Sequence, residues 1–178
     1  MSHNVITVED VEPDRQGDIT GVPFDAFGEM LIGQAGSDNY SNSGATTLTN
    51  TDLYFYDASP VNTITGASIT SSSNWVSSFT LPAGRYLINV AFNVVFSSSG
   101  QFAYQLHDGS SLIGNRAQIG ATVQFATESA MSLASAMVFL SSSTTFTVKS
   151  PTGNTNIDTI ANQGTTPSTF SFIRVIEL

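Results

Sequence analysis

Short runs of alternating hydrophobic and polar residues, separated by turn residues, follow one another from residue 26 onward. Trp75–Leu81 alternates, with Trp75, Ser77, Phe79 and Leu81 on one face of an extended chain, and Pro82-Ala83-Gly84 then forms a turn signal. Arg85–Phe96 is the strongest strand prediction, because it is rich in Val, Ile and Phe and contains neither Gly nor Pro. Ser97–Gly100 predicts a break after it. This pattern predicts an all-β sandwich or barrel.

The remaining segments extend the same pattern to the end of the sequence. Asp108-Gly109 predicts a tight hairpin after a strand at Phe102–Leu106. Ser129–Leu140 contains helix-forming Ala, Met and Leu, but its polar positions form no helical face. We interpret it as a strand because every neighbouring element is β. Further strands are predicted at Phe27–Gly33, Tyr40–Leu48, Leu53–Tyr56, Leu112–Ile119, Ala121–Thr127, Thr145–Val148 and Phe170–Ile176. The prediction is therefore a jelly-roll β-sandwich of about 8–10 antiparallel strands.

Residues 1–25 differ from the rest and are predicted to form an extended acidic N-terminal arm, followed by a jelly-roll domain at 26–178. Pro13 and Pro23 favour extended backbone on their N-terminal sides. Residues 1–38 carry eight acidic side chains and one basic one, whereas the other 140 residues carry six acidic and four basic ones. The formal charge of −9 therefore belongs mainly to the first part of the chain.

Composition excludes several classes of protein. Charged residues make up 11% of the chain, where about 25% is usual, and 46 positions are Ser or Thr. With no cysteine, the sequence predicts no disulfide framework and no thiolate metal site. Five basic residues against 14 acidic ones argue against nucleic acid as a partner. No apolar run reaches the 18 or more residues of a membrane-spanning helix, so no membrane partner is expected.

Three segments resemble a known family. They are Phe79–Ile88, which reads Phe-x-Leu-Pro-x-Gly-x-Tyr-x-Ile, then Ala134–Leu140 followed by Thr145–Val148, and finally Ser168–Ile173. In this order they resemble the C1q/TNF-like jelly-roll domain. The chain lacks the collagen stalk of the vertebrate C1q proteins and the anchor or signal of the cytokines. A jelly roll preceded by an acidic arm is most similar to a head decoration (cement) protein of a tailed bacteriophage.

This resemblance implies a structural virion protein and no enzyme. It implies a homotrimer, made in the host cytoplasm, that binds the outer capsid surface and stabilises contacts between major capsid protein subunits. The expected capsid-binding residues of the arm are Val5, Ile6, Val8, Glu9, Asp10, Val11, Glu12, Asp14, Asp18, Ile19, Val22 and Phe24. The strands that build the inter-subunit contact by resemblance contain Tyr86, Phe92, Phe139 and Phe172.

The sequence predicts neither a catalytic triad nor a metal site. His107 and Asp108 are adjacent on a strand end, so their side chains diverge and a Ser-His-Asp triad is not expected. Calcium is the best cofactor candidate, with Asp52, Asp57 and Asp158 as possible ligands, and Asn154, Asn156 and Asp158 give the only oxygen-rich alternation. No dense acidic loop is present, so no metal and no cofactor are predicted.

The alternative function is a receptor- or carbohydrate-binding tip module of a phage fibre or spike. Such a module would follow a fibrous shaft and would expose an aromatic groove for carbohydrate.

Overall fold

The computed structural model describes residues 28–33, 40–41, 51–57, 59–121, 130–151, 155–161 and 171–178. Within these ranges the chain is entirely β-structure with antiparallel pairing throughout, as the alternating pattern predicts. The predicted arm at residues 1–25 lies outside the described residues, as do Asn154 and the side chains of Asn156 and Asp158.

Thirteen strand segments are described: β1 Glu29–Ile32, β2 Tyr40–Ser41, β3 Thr51–Leu53, β4 Phe55–Tyr56, β5 Val61–Asn62, β6 Ser68–Ser72, β7 Trp75–Leu81, β8 Gly84–His107, β9 Leu112–Ala121, β10 Ala130–Leu140, β11 Thr144–Ser150, β12 Thr155–Ala161 and β13 Phe172–Glu177. They exceed the 8–10 that we predicted because several segments of two or three residues count separately. The ambiguous segment at Ser129–Leu140 is a strand, β10, as predicted.

Two sheets form the sandwich, and β8 contributes to both. In the first sheet the order is β10, the first half of β8, β13, β1 and β5. In the second it is β6, β7, β11, the second half of β8 and β9. The short strands β3 and β4 pair with β11 and β7, and β12 pairs with β8 and β2.

The predicted break at Ser97–Gly100 is wrong, because β8 remains a strand without interruption from Gly84 to His107. Four polar or flexible residues in a row resemble a turn, yet β12 and β9 supply pairing partners on either side of this stretch. Long-range hydrogen bonding therefore overrides the local turn propensity.

The core lies between the two sheets and is rich in aromatic rings. Phe92 packs against Phe55, Phe102 and Tyr104 at ring-centroid distances of 4.5, 5.6 and 4.8 Å. Rings from both halves of β8 thus meet across the sandwich, and this contact holds the sheets face to face.

The Phe-x-Leu-Pro-x-Gly-x-Tyr motif has a packing reason at its glycine. A Cβ atom placed on Gly84 would lie 2.6 Å from the hydroxyl oxygen of Tyr86, closer than two such atoms can approach. Tyr86 is fully buried, so its ring cannot move aside to make room. The motif therefore pairs a residue without a side chain with a buried tyrosine two positions later.

Candidate functional site

The outer side of the first sheet presents an unusually apolar surface. Along β10 the side chains alternate, so that Ala134 and Ala136 are buried while every second residue points outward. The outward set is 42% exposed at Met131, 49% at Leu133, 61% at Met137 and 68% at Phe139. We call this surface the apolar face. It also includes half-buried residues of the neighbouring strands, namely Leu87, Phe172 and Ile176.

Strand register places these residues beside one another. Met137 is opposite Leu87, which is opposite Ile176, and Leu133 lies on the row of Phe172. If each large side chain has roughly 200 Å² of surface, the four residues of β10 alone expose on the order of 400 Å². An apolar area of this size matches the largest patch on a typical soluble monomer, and such patches are often functional.

The apolar face is nearly free of uncompensated charge. The guanidinium carbon of Arg85 lies 5.8 Å from the centre of the Phe139 ring, a distance suited to a cation–π contact. Arg174 Nε lies 2.5 Å from Glu29 Oε1, so these two charges neutralise each other. A second copy of the same face would therefore meet little electrostatic repulsion.

The outer side of the second sheet is different in kind. Its outward positions are hydroxyl and amide side chains such as Thr80 and Thr145, whose Oγ1 atoms are 2.8 Å apart. Lys149 lies 3.7 Å from Asp52, so it too has a carboxylate partner. One side of the sandwich is thus polar and nearly neutral, and the other is apolar.

The structure corrects two of the four residues expected at the subunit contact. Tyr86 and Phe92 are fully buried between the sheets, because they occupy the inward positions of β8. They have no surface left for contact with another subunit. Phe139 and Phe172 occupy outward positions and lie on the apolar face. That face also contains Leu87, Met137 and Ile176, which were not predicted from the sequence. The alternation of β10 could have identified Met137, and the same alternation along β8 and β13 could have identified the other two.

The edge of β10 that does not pair with β8 is partly covered by the side chain of Asn115 from β9. Asn115 Nδ2 donates to the carbonyl of Leu133 at 3.1 Å, and the amide of Ser135 donates to Asn115 Oδ1 at 2.6 Å. The carboxamide therefore takes the place of a neighbouring backbone at this point of the edge. Gly114 allows this approach, since a Cβ there would lie 2.3 Å from the Ser135 carbonyl oxygen.

The candidates for catalysis and metal binding have structural partners. His107 Nδ1 accepts a hydrogen bond from the amide of Gly109, and Asp108 Oδ1 accepts from the amides of Ser110 and Ser111. The side-chain hydroxyl of Ser110 is the largest of the contacts that hold the pKa of Asp108 at about 2. These groups build a hairpin turn.

Asp57 is buried, and it too has a structural role. Its Oδ2 accepts from the amide of Gly33 at 2.6 Å and its Oδ1 accepts from the amide of Ser59 at 2.8 Å. Both oxygens are thus engaged by backbone groups. Among the residues that the structure describes, no group of three or more His, Cys, Asp or Glu side chains could hold a metal ion. No helix in those residues is long and apolar enough to cross a membrane.

Among the residues whose side chains the structure describes, most aromatic rings lie in the core. The exceptions near one end of the second sheet are Tyr54, which is 36% exposed, and Tyr56 and Trp75, which are half-buried. The rings of Tyr56 and Trp75 meet edge to face, 5.2 Å between centroids and 73° between planes. This arrangement gives no pair of coplanar rings on which a sugar could stack.

No protein-family model matches the chain, and no curated protein matches it in sequence. In structure it is similar to murine APRIL, with a TM-score of 0.51, 13% sequence identity, and 85% of this chain and 99% of that chain covered. The Eiger TNF of S. frugiperda gives a TM-score of 0.48 at 14% identity over 85% of this chain and 91% of that chain. The fold is a TNF-like jelly roll, in agreement with the sheet order described above.

Proposed function

We propose that this chain is a structural assembly protein: a homotrimeric decoration, or cement, protein of a tailed-bacteriophage head. It binds the outer surface of the assembled capsid, partly through the acidic arm at residues 1–25, and stabilises contacts between major capsid protein subunits. The observation that carries the proposal is the apolar face of the first sheet, which needs a protein surface to cover it.

The covering surface in this proposal is another copy of the chain. Phe139 and Met137 are exposed on the edge strand β10. In the proposed trimer they pack against the apolar residues of the neighbouring subunit's β8 and β13, namely Leu87, Ile176 and Phe172. Heterologous contacts of this kind, edge against face, close into a ring when the rotation permits. One part of this contact is formed by Phe139 and Met137 and the other by Leu87, Ile176 and Phe172. All five residues lie on the apolar face of one chain.

The arm supplies attachment in this proposal. Three arms on one trimer bind a repeating capsid surface with an avidity that one arm lacks. The apolar residues of the arm give contact area and the acidic ones steer it to basic patches. Because arm copies repel one another, the acidic residues also disfavour contacts between free trimers.

The test uses capsids of the encoding phage that lack the decoration protein. We expect the full chain to co-sediment with these capsids and to raise the temperature at which they release DNA. A variant without residues 1–25 should remain a trimer and lose capsid binding. A second variant, with Glu9, Asp10, Glu12, Asp14 and Asp18 changed to Gln or Asn, should bind more slowly and with weaker salt dependence.

Full binding by the truncated chain would refute the role of the arm, and absence of binding by the full chain would refute the decoration function. The fibre-tip alternative predicts instead that the intact chain binds defined sugars on a glycan array and ignores the capsid.

A further inference from the structure

A row of polar side chains crosses the middle of the apolar face. Ser135 on β10, Asn89 on β8 and Arg174 on β13 are successive partners in the strand register. Ser135 Oγ lies 2.6 Å from Asn89 Oδ1, and Arg174 contacts Glu29 on β1. We call Ser135, Asn89 and Arg174 the polar row; on β1 the register partner of Arg174 is Leu31, and Glu29 reaches Arg174 from the position opposite Ile176.

Apolar side chains lie on both sides of this row. Towards one end of the strands are Met137, Leu87 and Ile176, and towards the other are Leu133 and Phe172. The apolar face is therefore two apolar bands separated by a polar band, each one strand step of about 7 Å from the next.

Asn89 has hydrogen-bonding capacity to spare. Its Oδ1 accepts from Ser135, whereas no acceptor for its Nδ2 amino group is found among the described residues. The side chain is half-buried, so water reaches the amino group in the single chain. Once another subunit covers the face, that donor needs an acceptor from the subunit or stays unsatisfied at a considerable free-energy cost.

We propose that the polar row sets the register in which copies of this chain pack together. The inference rests on the proposed homotrimer and adds a determinant of its geometry. Apolar bands alone allow neighbouring subunits to slide, since Leu, Met and Phe surfaces are interchangeable. A slip of one strand step puts Asn89 against a band of Leu and Met, whereas the correct register puts it against the hydroxyl and amide oxygens of a second polar row.

The second copy is the occupant that these charges favour. Ser135 and Asn89 offer acceptor oxygens, and Asn89 and Arg174 offer donors, so the row is complementary to itself. A single buried polar group that fixes the register of an apolar interface, at some cost in stability, has precedents in coiled coils.

The experiment replaces Asn89 by leucine, which has a similar size and no polar atoms. Because the chain contains no cysteine, a single Ser142→Cys substitution in the exposed turn after β10 gives one spin-label site per subunit. Distances between labels are then measured by pulsed electron paramagnetic resonance. With Asn89 present we expect one narrow distance, and with Asn89→Leu we expect at least one additional distance from slipped copies.

Gln118→Leu is the matched control, because Gln118 is exposed on β9, away from the apolar face. It should leave the single distance unchanged. An equally narrow, unshifted distance in Asn89→Leu would overturn the inference, and so would its dissociation into monomers, since Asn89 would then supply affinity and not register. A wild-type chain that is itself monomeric would instead refute the homotrimer, a result that light scattering identifies before any label is added.

Discussion

Removal of one aromatic ring from the apolar face should weaken self-association without harming the fold. Phe139 is 68% exposed in the single chain, and its only ring contact described is with Arg85. A Phe139→Ala change therefore removes surface that faces solvent in the single chain and that, in the proposed homotrimer, faces a neighbouring subunit. The thermal unfolding of the isolated chain should change little.

The expected size of the effect follows from the exposed area. With roughly 200 Å² for the whole side chain, the exposed part is on the order of 140 Å². At about 25 cal/mol per Å², burial of that area contributes about 3.5 kcal/mol per contact. Since 1.4 kcal/mol is tenfold in a dissociation constant, each contact should weaken by at most roughly 300-fold, and by less to the extent that the alanine still buries surface.

Light scattering coupled to size-exclusion chromatography over a dilution series measures this shift. Tyr54→Ala is the control, because it also removes a partly exposed aromatic ring but lies beyond the apolar face. If Phe139→Ala and Tyr54→Ala dissociate at the same concentration as the unchanged chain, the apolar face is not the contact between subunits.

Three further changes test the fold around the site. Tyr104→Phe removes the hydroxyl that accepts from the amide of Phe92 and donates to a carbonyl of β10, so urea unfolding should show a loss of about 1–3 kcal/mol. Asn115→Ala uncovers the edge of β10, and light scattering should detect concentration-dependent aggregates larger than a trimer. Asp108→Asn tests the hairpin carboxylate, whose folded pKa of about 2 is below its unfolded value. Its contribution is fully present above about pH 4 and is lost as the pH falls through 2, so the difference in melting temperature between the two chains should shrink over that interval. That difference will be small because the group is exposed, and a difference that grows on acidification would contradict the assignment.

The fold class could be predicted from the sequence because alternation and turn residues act locally. The strand at Ala130–Leu140 shows why this works even where propensity favours a helix: its polar residues fit no helical face, and the neighbouring segments all predict strands. The break expected at Ser97–Gly100 failed for the opposite reason, since the pairing that keeps β8 extended comes from β9 and β12, far away in sequence.

The candidate site could be predicted only in part. Alternation shows which residues share a side of a strand, but not which side faces the core. Tyr86 and Arg85 illustrate the ambiguity: the buried tyrosine belongs to the inward set, and the exposed arginine belongs to the set that flanks Phe139. The contact of the Asn115 carboxamide with the edge of β10 has no sequence signal, because β9 and β10 come together only in the folded chain.

The position of β13 bears on how the chain folds during synthesis. Residues 172–177 lie in the middle of the first sheet, hydrogen-bonded to β8 on one side and to β1 on the other. A nascent chain that has reached β12 on the ribosome already carries β1, β5, β8 and β10, yet it lacks the strand that joins β1 to β8. Until β13 emerges, the inward side chains of β1 and one edge of β8 stay uncovered, and neighbouring nascent chains could pair with them. Production of this protein should therefore depend on chaperones and on protein concentration more steeply than its final stability suggests.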